Sequence, residues 1–252
     1  MKKLLNILWI IVLLSIYTSA STRGDVKIIE ASETIRYLGQ KISKEYLYLY
    51  QNPKKIELKE QLDEDIKLLE QSIIDIKTIN NNKDSKNILD FLTYNKNDVK
   101  KLINKSVDRK KAILMLDYSE SFLEGANLIE NAHRYNFSVE EKILMSLKDI
   151  EYLLQRISKY YMAYILNIDK DVNFKNMSSA ILKIEEILKV INSYNYPKRL
   201  FMEVKNMNSS WIKNKKFLYK VRQLCIPNLM LISTITFENS IKKIALYHKQ
   251  NQ

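Results

Sequence analysis

Apolar residues recur along this chain at spacings of three and four, the mark of helices that each bury one face. Ile35, Leu38, Ile42, Tyr46 and Leu49 predict a first helix over about 26–51. Leu62, Ile66, Leu69, Ile73 and Ile76 predict a second, and their regular spacing is a heptad seam suited to packing at about 20°. The polar run Asn80-Asn81-Asn82-Lys83-Asp84-Ser85 breaks the pattern and opens a third helix over about 86–104. Ile113, Leu116, Phe122, Leu123 and Leu128 mark a fourth over about 111–134. Four more helices are expected over about 139–168, 174–193, 198–219 and 228–248. Pro53 and Pro197 fit the first position of a helix, and Ser138 with Glu141 forms a capping box at the start of the fifth. Only three glycines and three prolines interrupt the chain, and Asn-Gly and Asp-Gly hairpin signals are absent, so the fold class is all-α. The expected architecture is two tandem antiparallel four-helix bundles, at 25–135 and 138–250, joined by a long, nearly continuous connector helix.

The division into two bundles rests on an internal repeat. Ile35-Arg36-Tyr37-Leu38-Gly39-Gln40-Lys41-Ile42-Ser43-Lys44-Glu45-Tyr46 returns as Ile150-Glu151-Tyr152-Leu153-Leu154-Gln155-Arg156-Ile157-Ser158-Lys159-Tyr160-Tyr161. The register holds without a gap into the next helix, where Met177, Ile181, Ile184, Leu188 and Ile191 stand in for the first seam. A repeat of this kind means duplicated architecture. Residues kept in both copies, such as Gln40 and Gln155, Ser43 and Ser158, and Lys44 and Lys159, then serve the shared framework. Residues that differ, above all Arg36 against Glu151, are candidates for a role in one copy.

The N-terminus reads Met1-Lys2-Lys3, then a mainly apolar run from Leu4 to Tyr17, then Thr18-Ser19-Ala20-Ser21. That is the layout of a signal peptide over 1–20, and the apolar run is short against the roughly 20 residues of a membrane span. The expectation is a periplasmic or secreted protein, with an uncleaved N-terminal membrane anchor as the alternative. The single cysteine, Cys225, excludes an intramolecular disulfide, so the core alone must hold the fold; Cys225 itself reads as a small buried apolar residue. The net charge of +12 comes from lysines scattered among glutamates rather than from a dense basic block, and with export this argues against nucleic acid as a partner.

Candidate chemistry is sparse. Glu130-Asn131-Ala132-His133 has the E-x-x-H spacing of di-iron bundles, but the only other histidine, His248, has Ala245 three residues before it, so no second half-site exists and His133 reads as an exposed residue at a helix C-terminus. No Ser-His-Asp or Cys-His pattern and no glycine-rich phosphate loop is present, and nothing points to an enzyme or a cofactor. Tyrosines gather on the first helix of each copy, at 37, 46, 48 and 50 and at 152, 160, 161 and 164, where they suit a core with hydroxyls reaching outward or a tyrosine-lined ligand surface.

The segment Arg36-Tyr37-Leu38-Gly39-Gln40-Lys41-Ile42-Ser43-Lys44-Glu45-Tyr46-Leu47 resembles the R-M-L-S-Q-R-x-A-K-x-Y-L signature of PilJ-type sensor domains. These are the N-terminal domains of type IV pili methyl-accepting chemotaxis transducers, similar to the periplasmic modules of nitrate-responsive histidine kinases. The resemblance covers about 28–134 and, more weakly, 142–250. It implies an extracytoplasmic four-helix bundle and a small anion as ligand, held by Arg36 and Lys41, with Arg156 in support. Lysine at 41 lacks the bidentate geometry of arginine, and Glu151 is expected to neutralise Arg156, leaving the second copy degenerate. Because the sequence ends at Gln252, without the family's signalling domain, the expected partner is a membrane-bound receptor or histidine kinase. The expected function is that of an exported, sensor-like binding protein, the alternative being a structural or interaction module without a small-molecule site.

Overall fold

The computed structural model describes the backbone of residues 2–222 and 227–251, and the side chains of 23–221 and 234–251. Cys225 and the side chains of the expected signal peptide lie outside the described residues. Eight α-helices make up the described chain: α1 Lys2–Gln51, α2 Ile56–Ile79, α3 Lys83–Ile103, α4 Arg109–Ala132, α5 Val139–Ile165, α6 Lys170–Ser193, α7 Phe201–Tyr219 and α8 Pro227–Gln250. Short 3₁₀ turns precede and follow α7, at Lys198–Leu200 and Lys220–Arg222. Among the described residues no helix is long and apolar enough to cross a membrane.

The predicted seams of α1, α2 and α6 are buried. Ile35, Leu38, Ile42, Tyr46 and Leu49 face the core from α1, as do the five seam residues of α2 and their five counterparts on α6. On α4 the buried stripe instead runs through Ala112, Met115, Ser119, Phe122, Ala126 and Ile129, while Ile113 and Leu128 point outward. The large apolar residues misplace that face because half of its members are small. Smallness lets the helices approach: a Cβ on Gly39 would lie 2.7 Å from the Cβ of Phe122.

Helix α1 packs on α2, α4 and α5; α3 closes the first ring between α2 and α4. Helices α5–α8 repeat this arrangement, with α5 on α6 and α8, and α7 between them. The two rings meet along α1 and α5, and one continuous core runs through both. Contacts advance together along these two helices, from Arg36 with Asp149 to Lys44 with Gln155, so they lie side by side in the same direction. This central position explains why α5 is buried almost all round from Tyr152 to Ala163.

The connector differs from expectation. The helix stops at Ala132 and a new one starts at Val139, opened by the Ser138–Glu141 capping box, which is complete in both directions. Asn82 and Asp108 cap α3 and α4 in the same way, by accepting backbone N–H bonds. Pro53 does not open α2, which starts at Ile56. Asn52 instead makes the last backbone bond of α1, to the Tyr48 carbonyl at 2.9 Å, and Pro53, which has no N–H, cannot carry the ladder further. Pro197 caps the 3₁₀ turn before α7 rather than entering the helix.

Candidate functional site

The three cations expected to hold an anion are set in three different places. Arg36 is 6% exposed on α1, and its Nη1 donates to Asn127 Oδ1 at 3.2 Å and meets Glu130 at 3.0 Å and Asp149 at 3.4 Å. Its guanidinium also lies over the Tyr152 ring, 5.1 Å from the centroid. Lys41 ties α1 to α2 through Asp65 at 2.8 Å, with Glu45 at 3.6 Å. Arg156 ties α5 to α4 through Glu120 at 2.7 Å and donates to the Tyr160 hydroxyl at 3.0 Å. Glu151 does not neutralise Arg156; it pairs with Lys148 at 2.7 Å, one helical turn back. Charge is thus compensated inside the protein at each position, and the three do not converge.

The residues of the E-x-x-H motif are likewise engaged. Glu130 meets Arg36 and Arg134, and His133 meets Asp25 through Nδ1 at 2.9 Å. His133 is partly buried rather than exposed, since α1 reaches across to supply that carboxylate. Among the described residues no group of three histidine, cysteine, aspartate or glutamate side chains is placed to hold a metal.

What the fold does assemble is a cleft of about 710 Å³ where α1, α5, α8 and the link between the bundles meet. Val26, Ile29, Glu30, Glu33, Arg36 and Tyr37 line it from α1. Their counterparts in the repeat, Glu141, Leu144, Met145, Lys148, Glu151 and Tyr152, line it from α5. Equivalent faces of the two copies therefore look into one space, and α8 closes it with Glu238, Lys242, Ala245 and Leu246. The two charge pairs on these faces are reversed: Glu33 precedes Arg36, whereas Lys148 precedes Glu151.

Burial governs the acids here. Desolvation pushes the Glu33 carboxyl up to about 8, against the opposing pull of Arg36. The same cause raises Asp149 and Glu238, and raises the Tyr37 hydroxyl. Glu33 and Glu238 escape a reading based on family signature, because neither falls within the matching segment. The reversal of Glu33 against Lys148, next to that of Arg36 against Glu151, is the signal in the repeat that marks the position.

The shared polar residues occupy the seam beside the cleft. Gln40 donates to the Ser119 carbonyl at 2.8 Å, Lys44 donates to Gln155 at 2.7 Å, and Lys159 donates to Ser119 Oγ at 2.7 Å and to Glu120. Gln40 braces α1 on α4 and the two lysines join the bundles, in keeping with a framework role. Compared with known protein families, curated proteins and solved structures, the chain matches none.

Proposed function

We propose that the protein is an exported, sensor-like binding module of the PilJ-resembling kind, and that its ligand site is the cleft between the two copies. The observation that carries this reading is the convergence of equivalent α1 and α5 positions on one cavity of about 710 Å³, within the size range of small-molecule sites. Of the three cations expected to bind a ligand, Arg36 alone lines this cleft; Lys41 and Arg156 brace α1 on α2 and α5 on α4. Occupancy would alter how α1 and α5 pack, which is the contact that couples the bundles. A membrane-bound receptor or histidine kinase is the partner this reading requires for output.

A thermal-shift screen of small metabolites against the full chain tests the assignment. Met145 lines the cleft while remaining partly exposed, so Met145→Trp should fill the space and abolish the shift given by any true cleft ligand. A screen in which every shift survives that substitution rules out the cleft.

A further inference from the structure

Two side chains in the cleft wall have polar atoms that the protein leaves unused. The guanidinium of Arg36 spends Nη1 on Asn127, Glu130 and Asp149, while its Nε and Nη2 make no hydrogen bond. The closest carboxylate to Nη2 is Glu33, at 3.7 Å, beyond hydrogen-bond reach. Glu33 Oε1 also has no hydrogen-bond partner, and the whole residue is 8% exposed. Burying such groups unpaired is costly. A donor edge and an acceptor thus stand side by side on one turn of α1, in the wall of a cavity to which Ile29, Leu144, Met145 and Leu246 contribute apolar surface among further charged groups.

The edge of an arginine formed by Nε and Nη2 matches a carboxylate bidentately. A simple anion there would join Glu130 and Asp149 around the Arg36 guanidinium, and a simple cation on Glu33 would be repelled by Arg36. A ligand bearing both charges avoids both conflicts. In an α-amino acid the two charged ends are attached to one carbon, which suits groups 3.7 Å apart. Resting on the cleft reading above, we propose that the ligand is a free amino acid with an apolar side chain, of the leucine or phenylalanine class. Its carboxylate takes the Nε–Nη2 edge of Arg36, its ammonium takes Glu33, and its side chain lies on the apolar wall. The charged groups facing Glu33 are Arg36 on its own helix, Glu130 on α4, and Lys148 and Asp149 on α5. Burial keeps Glu33 protonated in the empty cleft; the arriving ammonium favours its ionised form, and the proton passes to solvent.

Calorimetric titration of the full chain with L-leucine and L-phenylalanine, beside 3-methylbutylamine and 4-methylpentanoate, tests the class. At least one amino acid should bind, and each half-molecule should bind roughly tenfold or more weakly, since each forfeits one set of charge-assisted hydrogen bonds. Glu33→Gln should weaken amino-acid binding while leaving the affinity for 4-methylpentanoate unchanged. Half-molecules that bind as tightly as the amino acid overturn the proposal. So does failure of both amino acids while another compound shows binding blocked by Met145→Trp, a result that leaves the cleft reading standing. If no compound shows Met145→Trp-sensitive binding, both fall.

Discussion

Replacing Lys159 with methionine should stabilise the protein at neutral pH, although it removes a buried ion pair. The Lys159 side chain is fully buried; its ammonium donates to Ser119 Oγ and Glu120 and lies 4.4 Å from the centre of the Tyr160 ring. Desolvation outweighs these partners and lowers its pKa from 10.5 to about 8. At 1.36 kcal/mol per unit, holding the charge in place costs the fold about 3 kcal/mol at pH 7. Methionine removes that cost, and neither partner is stranded. Glu120 keeps Arg156 at 2.7 Å and Tyr160 at 3.0 Å, and Ser119 still donates to the Leu116 carbonyl at 2.6 Å. Loss of the ammonium's hydrogen bonds takes back about 1 kcal/mol, leaving a net gain of about 2 kcal/mol. The sign with pH is distinctive. Between about 8 and 10.5 the unfolded chain holds more protons than the folded one at this site, so wild-type stability rises with pH through that window while the variant lacks this contribution. Urea unfolding followed by circular dichroism at pH 7, 9 and 10.5 should therefore show the variant's advantage shrinking and giving way to a small deficit by pH 10.5. A loss of about 3 kcal/mol or more at pH 7, as expected when a buried pair is simply broken, would refute the reasoning, as would a difference that does not change with pH.

Three further outcomes follow from the packing. Gly39→Ala should destabilise by about 1–3 kcal/mol because the new methyl meets Phe122 Cβ at 2.7 Å, close to that residue's backbone. Gly125→Ala meets the branched end of the buried Leu92 at 2.7 Å rather than an atom next to a backbone, so with the gain in helix propensity it should cost less than Gly39→Ala; urea midpoints compare the two. Ser138→Ala should cost about 1 kcal/mol through loss of the cap on α5, read by thermal melting. Burial lowers the pKa of His248, which contacts Glu140 and the Tyr196 hydroxyl, so the unfolded chain takes up a proton there first as pH falls below about 6.5. Stability should decline over that range, and His248→Gln should flatten the decline.

Much of the fold was legible in the sequence. A helix signals itself locally: the spacing of Leu62 to Ile76 and of Met177 to Ile191 names the buried face without reference to any other element. The repeat added that two rings of four helices exist, and the Ser138–Glu141 spacing marked the start of the second. The errors share a cause. Ala112, Ser119 and Ala126 define the α4 face through closeness of approach, which hydrophobicity does not register. Hydrophobicity is equally silent at Pro53, which ends α1 rather than opening α2 because it has no N–H to carry the ladder past Asn52.

The sequence by itself determined eight helices, the inward faces of α1, α2 and α6, the duplication and the residues at which the copies diverge, since all of these depend on spacing along the chain. The tertiary structure decided that α1 and α5 lie side by side, and with that the fate of each charge. Arg36 meets Asn127, Glu130 and Asp149, and Arg156 meets Glu120, all distant in sequence. No periodicity encodes such convergence, because it follows from which helices touch and how deeply water is excluded between them. The same contact turned Glu33 from one acid among many into a buried carboxyl beside an unused guanidinium edge.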